Sequence, residues 1–431
     1  FAFKRVSDPR ISPDGKAVVY VLTEVDLPGN KTASSLWLAP ADGKGEPRRL
    51  TNAPGKKDSH PRWSPDGKRI AFESNRSGDG QLWVIDPDGG EARQLTTLGA
   101  GAGNPVWSPD GKQIAFVSDV YPEYSEKAFK ESDELNKKRK EEAEKGPVKA
   151  RVFTKMFYRH WDGWVEGKRK HLFVMPADGG EPKDVTPGDR DAFPTSDTFS
   201  TGDNFTFSPD GKYLVFTAVP AKDEAWSTNY EICRVPVTGG TTEWESLTKD
   251  NPAASSGPAF SSDGKRLAFR AQKRAGFEAD QWELVNVDTD EGGAFKGNPR
   301  SVTAHFDGSP ESFVWSHGGP ARNNMILFTA DKDAGAPLFG VRIKDGQVWA
   351  LLEGGTHGSL SISSDGRRLA FTLMSLDRPP DVCILPSPED NVNGWFNFSR
   401  ANDKLLDEMD LPRPESCLLY TSDAADDLTR V

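Results

Sequence analysis

Phe157, Tyr158, Trp161 and Trp164 crowd one short stretch of this chain, interleaved with Arg159, His160, Asp162 and Lys168. Rings that offer apolar contact, set among charges that offer hydrogen bonds, have the chemistry of a binding surface. The same rings equally suit packing of the stretch onto the body of the protein, and the sequence favours neither reading. Groups that could break a bond are scarcer. A nucleophile elbow needs Gly-x-Ser-x-Gly, so that a strained strand-to-helix turn can present the Ser hydroxyl. No such string occurs. His317-Gly318-Gly319-Pro320 has the composition of an oxyanion-hole loop, but it follows Phe-Val-Trp-Ser, where sister segments place a tight turn. His60, His160, His171, His305 and His357 accompany no Ser and Asp in a recognisable triad order. No residue is assigned as catalytic.

Metal and cofactor chemistry is equally thin. Asn286, Asp288 and Asp290 alternate as calcium ligands do, yet the Gly falls one place late and Gly297 stands where a bidentate Glu belongs, so a hairpin turn is expected. Cys233, Cys383 and Cys417 lie far apart without metal or redox spacing and read as small buried thiols. There is no Gly-rich phosphate loop ending in Lys-Ser/Thr. Neither a metal nor a cofactor is expected. With 54 Lys+Arg against 65 Asp+Glu spread along the chain, nucleic acid is an improbable partner, and no apolar run is long enough to span a membrane. A soluble protein is expected, and the opening Phe-Ala-Phe-Lys-Arg-Val-Ser shows no signal-peptide pattern.

The elements that must position these groups repeat. A large apolar residue precedes Ser at Ile11, Trp63, Trp107, Phe207, Phe260, Trp315 and Ile362, and Pro-Asp-Gly or Ser-Asp-Gly usually follows. In such a turn Pro presets φ, Asp caps with its carboxylate and Gly takes the left-handed conformation. An aromatic returns eight residues after the Ser at Tyr20, Phe72, Phe116, Phe216, Phe269 and Phe371; in the sixth copy Phe328 comes twelve residues on. Further strands follow, such as Leu36–Pro40 or Gln81–Pro87, then Asp-Gly or Gly-Gly turns and closing strings such as Arg-Arg-Leu-Thr. Four strands per unit result. The anchoring serines are 52, 44, 100, 53, 55 and 47 residues apart, which is propeller spacing with one long interval. One twisted sheet cannot bury both its faces, whereas seven around an axis cover one another. The sequence therefore predicts an all-β fold over residues 1–410, a seven-bladed β-propeller of four-stranded antiparallel blades.

The long interval places an insertion at about residues 119–170, within the third blade. Its first half is rich in Glu and Lys, with Ser125 as N-cap and Gly146-Pro147 as stop, which predicts a short charged helix anchored by Phe129 and Leu135. A solvated helix and a lid both fit that pattern.

Several strings are more specific than the repeat: RVSDPRISPDGK, FYRHWDGWVEGKRKHLFV, TFSPDGKYLVFTAVP with DEAWSTNYEI, SLDRPPDVCIL and SRANDKLLDEMDLPRPES. Together they resemble the bacterial acylaminoacyl-peptidase and dipeptidyl-peptidase-5-like branch of the prolyl oligopeptidase family of serine peptidases. The resemblance covers residues 4 to 416. It implies that the propeller caps an α/β-hydrolase domain of the same polypeptide, that the substrates are short peptides, and that the protein is periplasmic or secreted. Residues 411–416 would then begin the linker to that domain. Residues 417–431, CLLYTSDAADDLTRV, resemble a translated sequencing adapter, so the catalytic domain is expected to be missing and the chain inactive alone. The propeller's part would be gating and binding. A peptide's amine and apolar side chain call for a carboxylate with aromatic walls. Trp161, Asp162, Trp164, Glu224 and Trp226 are the candidates. A face normally covered by the hydrolase would be exposed and apolar. The competing expectation is a free-standing TolB-like propeller that scaffolds a protein partner without chemistry.

Overall fold

The computed structural model describes residues 2–414 except 148–149, 155, 157, 161–162, 223, 317–324, 387, 389–393 and 413. Seven four-stranded antiparallel sheets follow one another along the chain, each built from consecutive strands apart from the insertion in the third. Blade 1, for example, runs through Arg5–Ile11, Ala17–Asp26, Lys31–Pro40 and Arg48–Arg49. The propeller and its blade count are as the repeat predicts.

Each anchoring Ser does more than open a turn. In six of the seven the hydroxyl donates to the Asp two residues on, as from Ser64 to Asp66 at 2.6 Å and Ser108 to Asp110 at 2.7 Å, and accepts the backbone N–H five residues on. The Asp also accepts the backbone N–H of the residue after the Gly, at 3.1 Å for Lys68. The Gly is left-handed, with φ +71° at Gly67, as the turn requires. The returning aromatics are the core itself, since Tyr20, Phe72, Phe116, Phe216, Phe328 and Phe371 rank among the largest wholly buried side chains. Each interface between neighbouring blades carries its own apolar cluster; Val19, Leu36, Ile70 and Phe72, for instance, join blades 1 and 2. The closing Leu-Thr strings also acquire a reason. In the five blades that close on Thr the fourth strand is two residues long, so the Thr hydroxyl replaces a ladder carbonyl and accepts a third-strand N–H. Thr51 does this for Leu36 at 2.9 Å, Thr96 for Leu82, Thr186 for Leu172, Thr248 for Ile232 and Thr303 for Leu284.

Among the described residues no strand is exchanged between the ends of the chain, so blades 1 and 7 meet along a seam. Val6, Tyr20 and Leu22 pack there against Ala370, Ile384 and Phe398. Asn402 exchanges two hydrogen bonds with the Lys4 backbone at 2.8 and 2.9 Å, and Ser361 Oγ accepts from the Ile11 N–H at 3.1 Å. Antiparallel succession then sorts the loops. The Ser-Asp turns, which join first to second strands, and the third-to-fourth connections lie on one face of the ring. The second-to-third connections, the loops between blades and both chain ends lie on the other.

The insertion sits on that second face. Its helix is Phe129–Lys145 and stops at Gly146 as expected, but Ser125 is not its N-cap. The helix starts from Ala128 without a side-chain cap, because the Ser125 hydroxyl is already engaged: it donates to the Pro122 carbonyl and accepts the Gly188 N–H. Phe129 does pack against the blade 2–3 cluster, whereas Leu135 is only half-buried. The one buried helix residue is Asn136, which accepts the Tyr121 N–H at 2.7 Å. Asp133 accepts the Gly99 N–H at 2.8 Å and Lys140 pairs with Asp79. The helix is thus bolted down by polar contacts. Asn136→Ala strands the buried Tyr121 N–H and is expected to cost about 1–3 kcal/mol in a urea titration.

Candidate functional site

Two separate loops of the terminal face converge on Arg169, the first residue of the third strand of blade 3 (Arg169–Pro176). Its Nε donates to Asp189 at 2.8 Å, and its Nη1 donates to Asp191 at 2.7 Å and to Glu224 at 2.9 and 3.1 Å. Asp189 and Asp191 stand between blades 3 and 4, and Glu224 between the second and third strands of blade 4. Three carboxylates around one guanidinium leave two negative charges in excess. Burial pushes the Asp191 and Glu224 carboxyls up, and the Arg169 charge offsets this only in part. Asp191 is locked, since its second oxygen accepts the Lys170 N–H at 2.6 Å. Glu224 and Asp189 instead line a cavity of about 890 Å³ with Arg169, Phe153, Tyr158 and Lys168.

The cavity's far wall is aromatic. Trp164 stacks on Phe153 with ring centroids 5.6 Å apart and on Tyr158 at 6.4 Å, and the Arg151 guanidinium lies over it at 5.1 Å. Two of the predicted residues, Glu224 and Trp164, therefore belong to one site, the latter through the rings that line the cavity. Trp226 shares the Glu224 loop and is 77% exposed. Trp161 and Asp162 lie outside the described residues, as do His317–Pro320 and Cys417. Arg169, Asp189 and Asp191 were not singled out by the sequence reading. Their signal was available in Pro-Gly-Asp-Arg-Asp, an acid-rich loop directly after a closing Val-Thr.

A His–Asp pair whose His is wholly buried supports this loop. His171 Nδ1 faces Asp184 at 2.7 Å and Nε2 faces the Gly188 carbonyl at 2.9 Å. With both ring nitrogens occupied and no exposed surface, His171 serves structure and has no lone pair to offer a substrate. His357 is likewise held, by the Ala336 carbonyl. Asn286, Asp288 and Asp290 belong to a hairpin in which Asp290 accepts the Ala294 N–H, and no metal-ligand cluster occurs among the described residues. Burial pushes the Cys233 and Cys383 thiols up to about 12, which makes them inert.

Comparison with known proteins agrees with this architecture. The TolB beta propeller domain matches residues 3–138. Dipeptidyl-peptidase 5 of Porphyromonas gingivalis is 30% identical over 437 residues, covering 99% of this chain, which spans 59% of that enzyme. The acylaminoacyl peptidase of Pyrococcus horikoshii superposes with a TM-score of 0.65 at 17% identity, over 95% of this chain and 54% of its own. The propeller domain of the Trilobed protease from Pyrococcus furiosus, described as having an open velcro topology, gives 0.59 at 14% identity over 94% of this chain and 98% of its own. The ring of seven sheets and the match to dipeptidyl-peptidase 5 over nearly the whole of this chain place it in the propeller portion of the prolyl oligopeptidase family.

Proposed function

We propose that this propeller covers and gates the active-site mouth of an α/β-hydrolase domain in a serine peptidase that acts on short peptides, and that Glu224 and Asp189 receive the substrate's amine. One observation carries the reading: the cavity that Glu224 and Asp189 line, the segments just before the first strand and just after the last, and most of the exposed large apolar side chains among the described residues share one face. Leu27, Trp226, Phe277 and Leu376, each 40% exposed or more, stand on second-to-third connections of blades 1, 4, 5 and 7, and Met409 and Leu411 follow the last strand. Their gathering on one face supports reading it as the face that the next domain covers. The linker begins near residue 411, which delivers the next domain directly onto this face. Within the cavity the Glu224 and Asp189 carboxylates suit an ammonium, and the Phe153 and Tyr158 rings, on which Trp164 stacks, suit an apolar side chain. The catalytic Ser, His and Asp belong to the hydrolase, so residues 1–431 alone hydrolyse no peptide.

Hydroxyl-radical footprinting tests the docking face. In the full-length protein Trp226, Phe277 and Leu376 are expected to be protected about fivefold or more relative to residues 1–431, as side chains moved from solvent into an interface core are. Equal labelling of the two would refute the assignment and favour a free-standing propeller.

A further inference from the structure

The central channel is not empty. Arg62, on the inner strand of blade 2 (Asp58–Trp63), donates through Nη1 to Asp8 of blade 1 at 2.9 Å. Through Nε and Nη2 it donates to Asp203, just before the inner strand of blade 4 (Phe205–Phe207), at 3.1 and 2.5 Å. Arg10 of blade 1 joins the network, 2.7 Å from Asp8 and 3.7 Å from Asp203. Side chains from blades 1, 2 and 4 can meet only by crossing the channel, since blade 3 stands between 2 and 4 in the ring. All four are largely buried, and the Arg62 side chain is 12% exposed. Burial pushes the Asp8 carboxyl up, but the Arg10 and Arg62 charges outweigh it and hold it well below the usual carboxylate range. Two guanidiniums and two carboxylates balance. His60 and Glu73 pair beside this network at 3.2 Å, and the Glu73 carboxylate also accepts the Asn104 N–H.

The backbone beneath is shaped for this meeting. In six blades the residue four before the anchoring Ser is left-handed: Asp8, His60, Asn104, Asn204, Gly257 and Ser359, with φ between 46° and 68°. Register shifts mark bulges at this point in five of those blades, blade 4 being the other. A bulge turns the inner strand and re-aims its side chains, and Asp8 is itself one of the left-handed residues.

Position in the ring gives the network its consequence. Blade 1 borders the seam, and blade 4 lies diametrically opposite that seam. A ring that opens at a seam becomes a C, and its free edge swings away from the opposite wall. We propose that Arg62, with Asp8, Arg10 and Asp203, is a cross-channel clasp that holds the propeller closed at the seam between blades 1 and 7. It does the work of a strand exchange, of which there is none among the described residues. Removing one partner leaves an uncompensated charge in the channel and breaks the span.

Hydrogen–deuterium exchange on the 431-residue chain tests this, because local opening is read strand by strand. In Arg62→Met, exchange in the seam strands Arg5–Ile11 and Thr356–Ile362 is expected to quicken about tenfold or more, while Arg266–Ala271 and Met325–Ala330 of blades 5 and 6 keep their rates. Asp203→Asn cuts only the arm to blade 4 and leaves Arg62 paired with Asp8, so it serves where Arg62→Met does not fold, and it is expected to give the same pattern at lower amplitude. Unchanged seam exchange in Asp203→Asn, or acceleration shared equally by all blades in either variant, would overturn the proposal.

Discussion

Phe216→Ala lowers the stability of the propeller by about 3–5 kcal/mol, the range for deleting a buried ring whose site collapses only in part. Phe216 lies in the second strand of blade 4 with no exposed surface. It packs within the cluster that joins blade 4 to blade 3 and meets Trp244 edge to face, with centroids 5.1 Å apart. Its backbone pairs with Phe205 on one side and Cys233 on the other, so the cavity left behind is walled by two ladders that cannot close over it. The ring geometry enlarges the effect, because each blade is covered by its neighbours and no blade has a second core. Denaturant titration reads the loss as a lower midpoint. Trp226→Ala, the same kind of truncation at 77% exposure, shifts stability by no more than about 0.5 kcal/mol. A Phe216→Ala midpoint equal to that of the unsubstituted protein would mean that the eight-residue aromatic return does not form the core.

That return was legible in the sequence because turn chemistry is local. Ser, Asp and Gly at fixed offsets specify one hairpin whatever surrounds it, and the strand that follows must bury its aromatic. The left-handed residue four places before each Ser is as local, and Asp, His, Asn and Gly are types that tolerate it. It escaped notice because five different residue types fill it. Arg169, Asp189 and Asp191 were hidden for another reason. Arg169 opens a strand and the two Asp residues sit in a loop whose sequence says only that it is polar, and their meeting with Glu224 depends on blades 3 and 4 being neighbours in the ring. Pairing of charges across such distances leaves no periodicity to read. Ser125 shows the same limit in reverse: its type suits a helix cap, but Gly188, far along the chain, competes for its oxygen and wins.

Glu224→Gln in the full-length peptidase raises KM for peptides with a free amine by about 10–100-fold and leaves kcat within about twofold, the value of a charge-assisted hydrogen bond of about 1.5–3 kcal/mol. The substitution keeps the shape, removes the charge and leaves one of the two oxygens that accept from Arg169. Arg169 retains Asp189 and Asp191, so the loops stay in place. An interaction made equally in ground and transition state appears in KM alone, as expected for a group remote from the scissile bond. N-acylated peptides, which bring no ammonium, lose little. The pH profile supplies an independent reading. Burial raises the Glu224 carboxyl, with Arg169 offsetting only part and Asp191 adding to the rise. Falling pH therefore neutralises Glu224 earlier than an ordinary carboxylate, and affinity for an ammonium drops on that acid limb. Gln does not titrate, so the limb should flatten in the variant. A KM that rises equally for free and acylated peptides would make Glu224 a structural partner of Arg169 and nothing more, and an unchanged KM would remove this cavity from substrate binding altogether.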